Sequence, residues 1–194
     1  MKLGECAVVR TGLVFSRKEA PPGESRHIYR ALNLKNVAED GRILLAEVEN
    51  YYASEALKEE YFTRGGDVLL RLSAPYTAVL ITEKEAGLLV PSHFAIIRTD
   101  KAVDPHYLHW RLTKNRKRFY KIASGGAMMG TISSGYIAEM AFEPPEMGQQ
   151  RKIGELLKLA NREQQLLSLL RAKKKQLIDA ALKKFINVQG EMTL

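Results

Sequence analysis

Cysteine is almost absent, with Cys6 standing alone in 194 residues. One thiol excludes an intramolecular disulfide framework and any zinc site built on cysteine pairs, and it fits a reducing compartment. No apolar run approaches the roughly 18 to 20 residues needed to cross a bilayer. The first ten residues also lack the apolar stretch of a secretory signal, so we expect a cytoplasmic protein with no membrane partner. Catalytic machinery is equally thin. No Gly-Lys-Ser/Thr occurs, which removes a Walker-type phosphate loop. Asp104-Pro105-His106-Tyr107 approaches the Asp/Asn-Pro-Pro-aromatic turn of amino-methyltransferases but lacks its second Pro, and no Gly-x-Gly loop lies upstream. Asp104 and Pro105 read instead as a helix cap and a first helical residue. No Lys has an acid two positions before it, so the Asp/Glu-x-Lys pattern of metal-dependent nucleases is missing. His106 and His109 have a ligand-like spacing without a third convergent ligand, and beside Tyr107 and Trp110 they read as packing or surface residues. We therefore expect no catalytic residue, metal or cofactor.

What is present is a sizeable apolar fraction, 45%, enough for a substantial core, and a net charge of +8. That charge is unevenly spread. Residues 1–148 hold 20 Lys+Arg against 18 Asp+Glu, whereas 149–194 hold 10 against 4. A basic excess suits an anionic partner, although basic helices are also often simply solvated. In the near-neutral first part, any nucleic-acid contact must come from local clusters.

The pattern of residues predicts two architectures that meet at Pro144-Pro145. Before it, Cys6 to Arg10, Ile28 to Leu34, Val68 to Leu72, Ala78 to Thr82 and Phe94 to Arg98 read as strands. Gly12, Pro21-Pro22-Gly23, Asp40-Gly41 and Gly65-Gly66 punctuate them. Helices are expected around Ala53 to Glu60 and from about Pro105 to Lys121. Strands and helices do not alternate regularly, so the expected class is α+β, with a β-rich globular domain over 1–146 and a long helical region over 147–194.

In that helical region Ile153, Leu156, Ala160, Leu167, Leu170, Leu177 and Ala181 recur at steps of three or four, with doubled steps, and define one apolar seam. Some 40 helical residues would extend roughly 60 Å, more than one domain of this size covers. We expect a coiled-coil or helical-hairpin partner, the alternative being a helix folded back on its own domain. Glu163 and Lys174 interrupt the seam, where polar residues fix register and partner choice at some cost in stability.

One run stands out for nucleic acid. Lys114, Arg116, Lys117, Arg118 and Lys121 put five cations around Phe119 and Tyr120 at an expected helix end, where they also suit the helix dipole or a solvated surface. Such a cluster can hold phosphates, which positions a protein on DNA without reading sequence. Small residues from Ala123 to Ser133 follow and suggest a flexible loop. A second loop, Arg71 to Tyr76, leaves an expected strand.

In order and spacing, these pieces resemble a target-recognition domain plus one conserved helix of type I restriction-modification specificity subunits. The resemblance rests on Lys2-Leu3-Gly4-Glu5, Tyr29 to Val37, Gly66-Asp67-Val68-Leu69-Leu70, Pro91 to Arg98 and Pro105 to Leu112. Its strongest part is Ala123-Ser124-Gly125-Gly126, Ile132, Pro144-Pro145 and Gln149-Gln150-Arg151-Lys152-Ile153. The resemblance implies a domain that docks on double-stranded DNA and reads bases through its loops. It also implies a helix that holds methyltransferase subunits and a restriction subunit, with the chemistry left to those partners.

The expected DNA-contacting residues are Arg10, Arg71, Ser73, Tyr76, Lys114, Arg116, Lys117, Arg118, Lys121, Ser124, Gly125, Gly126 and Thr131. Arginines such as Arg71 and Arg10 have the paired donors needed for base readout. A full specificity subunit has two recognition domains and two helices packed antiparallel, and this chain supplies one of each. The simplest completion is a homodimer through the seam residues named above, reading two identical half-sites. The competing reading is a protein-interaction scaffold that dimerises through its helix and does not bind DNA sequence-specifically.

Overall fold

The computed structural model describes residues 1–125 and 130–190, with side chains described through residue 184. The architecture is α+β. A four-stranded sheet has the order β1-β6-β4-β5, formed by Ala7–Thr11 (β1), Val68–Arg71 (β4), Ala78–Leu80 (β5) and Phe94–Thr99 (β6). A separate pair joins His27–Ala31 (β2) to Glu49–Ala53 (β3). Every pairing among these strands is antiparallel.

All five expected strands form, although the second stops at Ala31 and Leu34 opens a short 3-10 turn. Asn36 closes that turn. Its side-chain oxygen accepts from the Asn33 backbone N–H at 2.8 Å, and its amide donates to the Glu47 carbonyl at 2.8 Å, which satisfies a fully buried polar group.

The central strands are buried on both sides, so they read as continuous apolar runs. Val68 and Leu70 face one cluster with Leu3, Ile97, Leu108, Leu112, Phe119 and Phe142, while Leu69 faces another with Leu32, Val79, Val90, Phe94 and Ile96. This is the period-two alternation of a pleated strand. Each fully buried Leu contributes roughly 1.5–3 kcal/mol relative to exposure.

The expected helix around Ala53 to Glu60 does not exist. Ala53 ends β3, and only a 3-10 turn, Glu59–Tyr61, follows. The helix-forming composition of that stretch is outweighed by its aromatic neighbours. Tyr51 and Ala53, two apart, bury together against Leu13, Ala31 and Leu89, and Tyr51 packs on Phe15 with ring centroids 4.5 Å apart. The expected helix over Pro105 to Lys121 is two helices, Pro105–Lys114 (α1) and Arg116–Gly125 (α2), broken at Asn115. Asn is a weak helix former, and its carbonyl accepts from the N–H groups of Arg118 and Phe119, so it opens the second helix as it closes the first. As expected, Asp104 caps α1, accepting from the N–H groups of His106 (2.8 Å) and Tyr107 (3.1 Å), with Pro105 in the first turn. A short helix, Ser134–Ala138 (α3), packs on β1 and was not expected.

The Gly66-Asp67 turn has a structural task. Gly66 has φ +87°, a left-handed conformation that disfavours a side chain. Asp67 is buried and accepts from Arg98 Nε at 2.8 Å and Nη2 at 2.7 Å, and from the Arg64 N–H at 2.8 Å. That bidentate hydrogen bonding raises the Arg98 pKa above its ordinary value.

The last helix, Met147–Gly190 (α4), is 44 residues long. Its first two turns belong to the globular unit, Met1–Gly154, and Glu155–Leu194 form a second unit. Gln150 makes the first attachment. It is buried, accepts from the Asp104 N–H at 2.9 Å, and donates to the carbonyls of Ala102 (3.1 Å) and Pro145 (2.8 Å). Gly154 makes the second, since a Cβ there would lie 3.1 Å from His106 Cβ and 3.2 Å from Asp104 Oδ1. Ile153 packs on the globular core, so the uncovered apolar face starts at Leu156. Leu156, Leu167, Leu170 and Leu177 are half or more exposed. Among the described residues, no helix is long and apolar enough to cross a membrane.

Candidate nucleic-acid interface

The two loops picked out in the sequence, some 50 residues apart, meet in space. The turn after β4 is closed by the Tyr76 N–H donating to Ser73 O at 2.8 Å and the Arg71 N–H donating to Thr77 O at 2.9 Å. Against it runs the segment Gly130–Ile132. Ser73 and Thr131 form an antiparallel bridge, and the Ile132 N–H donates to Leu72 O at 2.8 Å. Gly130 has φ +79°, which glycine adopts without strain.

Tyr76 locks this arrangement. It is 1% exposed, which corrects the expectation that it touches DNA directly. Its hydroxyl donates to Gly130 O at 2.7 Å, and its ring lies edge-on to Tyr120 at 4.9 Å and tilted to Phe119 at 6.2 Å. Burial pushes its phenol pKa up, and Tyr120 adds to the effect. Tyr76 is thus a positioning residue that ties both loops to the basic helix, and the loop spacing alone did not reveal that role. Arg116, the first residue of α2, donates from Nε to Pro75 O and is half-buried.

The remaining cations lie outward. At about 100° per residue, Tyr120, Ser124, Lys117 and Lys121 share one arc of α2, opposite buried Phe119 and Ala123, with Arg118 at its far edge. Lys114, Lys117, Arg118 and Lys121 are exposed, and among the described residues none has a carboxylate partner. Arg71 and Ser73 are partly exposed beside them, with Arg71 Nε 3.4 Å from Ser73 Oγ. Thr131 is exposed on the facing segment.

One expectation about this region changes. Ser124 and Gly125 are the last residues of α2, not part of a flexible loop, because the Ser124 hydroxyl donates to Tyr120 O at 2.7 Å within a continuing helix. Gly126 and the rest of 126–129 lie outside the described residues.

Arg10 is not part of the cluster. It pairs in register with Ile96, on the sheet face away from α1 to α3, and forms an ion pair with Glu60 in a cleft shared with Arg64 and Arg98. Those two arginines are also paired, with Glu59 and Asp67.

Among the described residues, no group of three metal-ligating side chains comes together. His109 is largely buried beside the Ala78 carbonyl, 3.3 Å from Nε2, and burial lowers its pKa. That agrees with a packing role.

No protein-family model and no curated protein matches the sequence. Solved structures do. The HsdS subunit from Thermoanaerobacter tengcongensis is 19% identical, with a TM-score of 0.57 over 89% of this chain and 38% of that one. The type I restriction-modification S subunit from M. genitalium is 13% identical, with a TM-score of 0.53 over 90% of this chain and 42% of that one. The fold is that of a type I specificity subunit. A third similar structure concerns complex assembly and conformational transition of a type I R-M system. It is 16% identical, with a TM-score of 0.62 over 87% of this chain and 43% of that one. The chain spans less than half the length of each of these chains.

Proposed function

We propose that this chain is a DNA-recognition half-subunit of a type I restriction-modification system, working in the cytoplasm as a homodimer. Residues 1–146 read the DNA, and 147–194 pair the two copies and hold the methyltransferase and restriction subunits, which perform the chemistry.

The observation that carries the reading is the meeting of the β4–β5 loop with Gly130–Ile132 beside Lys114, Lys117, Arg118 and Lys121, which have no carboxylate partner among the described residues. The specificity-subunit fold supports it. Lys114, Lys117, Arg118 and Lys121 contact phosphates and set the orientation. Arg71 then offers a planar pair of donors suited to guanine in the major groove, and Ser73 and Thr131 supply single hydrogen bonds. Two copies present two such surfaces, so the preferred site is a split inverted repeat.

Titration of a labelled duplex at about 50 and 200 mM salt tests the electrostatic part, because released counterions make DNA affinity fall steeply over that range. Binding that is absent, or flat with salt, would contradict the proposal and favour a protein-interaction scaffold.

A further inference from the structure

The two charged residues within the apolar seam of α4 carry information about how two copies fit together. Positions 156, 160, 163, 167, 170, 174, 177 and 181 alternate steps of four and three, the a and d positions of an unbroken heptad repeat. Glu163 and Lys174 occupy two of these positions, and all of them lie on the exposed surface of the helix.

A two-fold axis between Ser168 and Leu169, perpendicular to the helix, relates the whole set to itself. It sets Glu163 against the partner's Lys174, Leu167 against the partner's Leu170, Ala160 against the partner's Leu177, and Leu156 against the partner's Ala181. The inner layer joins two leucines, each outer layer joins a small residue to a large one, and each polar layer joins opposite charges.

Other alignments lose this match. A parallel pair in register sets Glu163 against the partner's Glu163 and Lys174 against the partner's Lys174. Sliding the antiparallel pair by one heptad sets Glu163 against the partner's Leu167 or the partner's Ala181, leaving a charge in an apolar layer.

We propose that Glu163 and Lys174 fix the α4 pair as an antiparallel homodimer centred between Ser168 and Leu169, each carboxylate facing the ammonium of the partner's Lys174. This deepens the homodimer reading above. In such a pair the polar layers reject wrong partners and registers, a form of specificity by repulsion.

The test uses the full chain without DNA, so its failure is distinguishable from a failure of DNA recognition. In sedimentation equilibrium, wild type should run as a dimer. Glu163→Lys alone and Lys174→Glu alone each weaken dimerisation by at least about a hundredfold, since like charges then meet in two layers. The double variant Glu163→Lys/Lys174→Glu returns to within about tenfold of wild type. Both substituted positions lie on exposed helix, so circular dichroism should show an unchanged fold in all three variants.

A second readout is a short bismaleimide crosslinker applied to single-cysteine additions, the native Cys6 being buried. Chains carrying Ala160→Cys crosslink to chains carrying Leu177→Cys but not to one another, because the two copies of position 160 lie about 25 Å apart along the pair. A monomeric wild type, a double variant as weak as the single ones, or crosslinking of position 160 to itself would overturn the proposal.

Discussion

Replacing Lys117 and Lys121 together with alanine should reduce the salt dependence of DNA binding by an amount that the geometry sets in advance. Both side chains are exposed on one arc of α2, without carboxylate partners among the described residues. If each neutralises one phosphate, the slope of log affinity against log salt becomes shallower by about 1.8 per recognition domain, and about 3.6 for a homodimer on two half-sites. Per domain, wild type then loses roughly tenfold more affinity than the variant as salt rises fourfold. Because these are surface positions, stability should change by no more than about 0.5 kcal/mol. Fluorescence anisotropy of a labelled duplex between about 50 and 200 mM salt measures the slope, and thermal melting checks the fold. Arg10→Ala is the control, since Arg10 faces the other side of the sheet and is held by Glu60. An unchanged slope in the double variant, or an equal change in Arg10→Ala, would refute the placement of the interface on α2.

Three further outcomes are expected. Tyr76→Phe keeps the ring but loses the hydroxyl's bond to Gly130 O, costing about 1 kcal/mol by denaturant melting. It should weaken binding to the preferred sequence more than binding to arbitrary duplex, because it loosens the two reading loops. Asp67→Ala leaves Arg98 without its bidentate partner and should destabilise the globular unit by about 3 kcal/mol. His109 is held neutral by burial, so the unfolded chain binds more protons below its ordinary pKa of about 6.5. Stability is fully present above that value and falls as pH drops below it, and His109→Gln should flatten the loss in Tm between about pH 7.5 and 5.5.

Strands such as Val68–Arg71 and Phe94–Thr99 were legible because a strand buried on both faces must be an apolar run between turn residues. The start of α1 was legible because Asp104 and Pro105 are local cap chemistry. What escaped depended on distant partners. The stretch from Tyr51 to Ala53 is a strand because His27–Ala31 and Phe15 await it, and neither is visible in its own composition. The basic cluster and both loops were found as separate segments. That Tyr76 is buried and joins them was not, because its neighbours Tyr120 and Gly130 lie more than 40 residues on. The charge of Arg10 suggests a DNA contact, yet the strand register turns it to the opposite face, beside Glu60. Gln150 falls within the run that carries the family resemblance, and only the fold shows why it is there: it joins α4 to the cap of α1.

The central claim is sequence-specific reading of DNA, and selection from a randomised duplex library tests it most directly. Purified protein, with and without a candidate methyltransferase partner at about physiological salt, should enrich a split inverted repeat with a fixed spacer. Folded protein that enriches no motif in either condition would contradict the account.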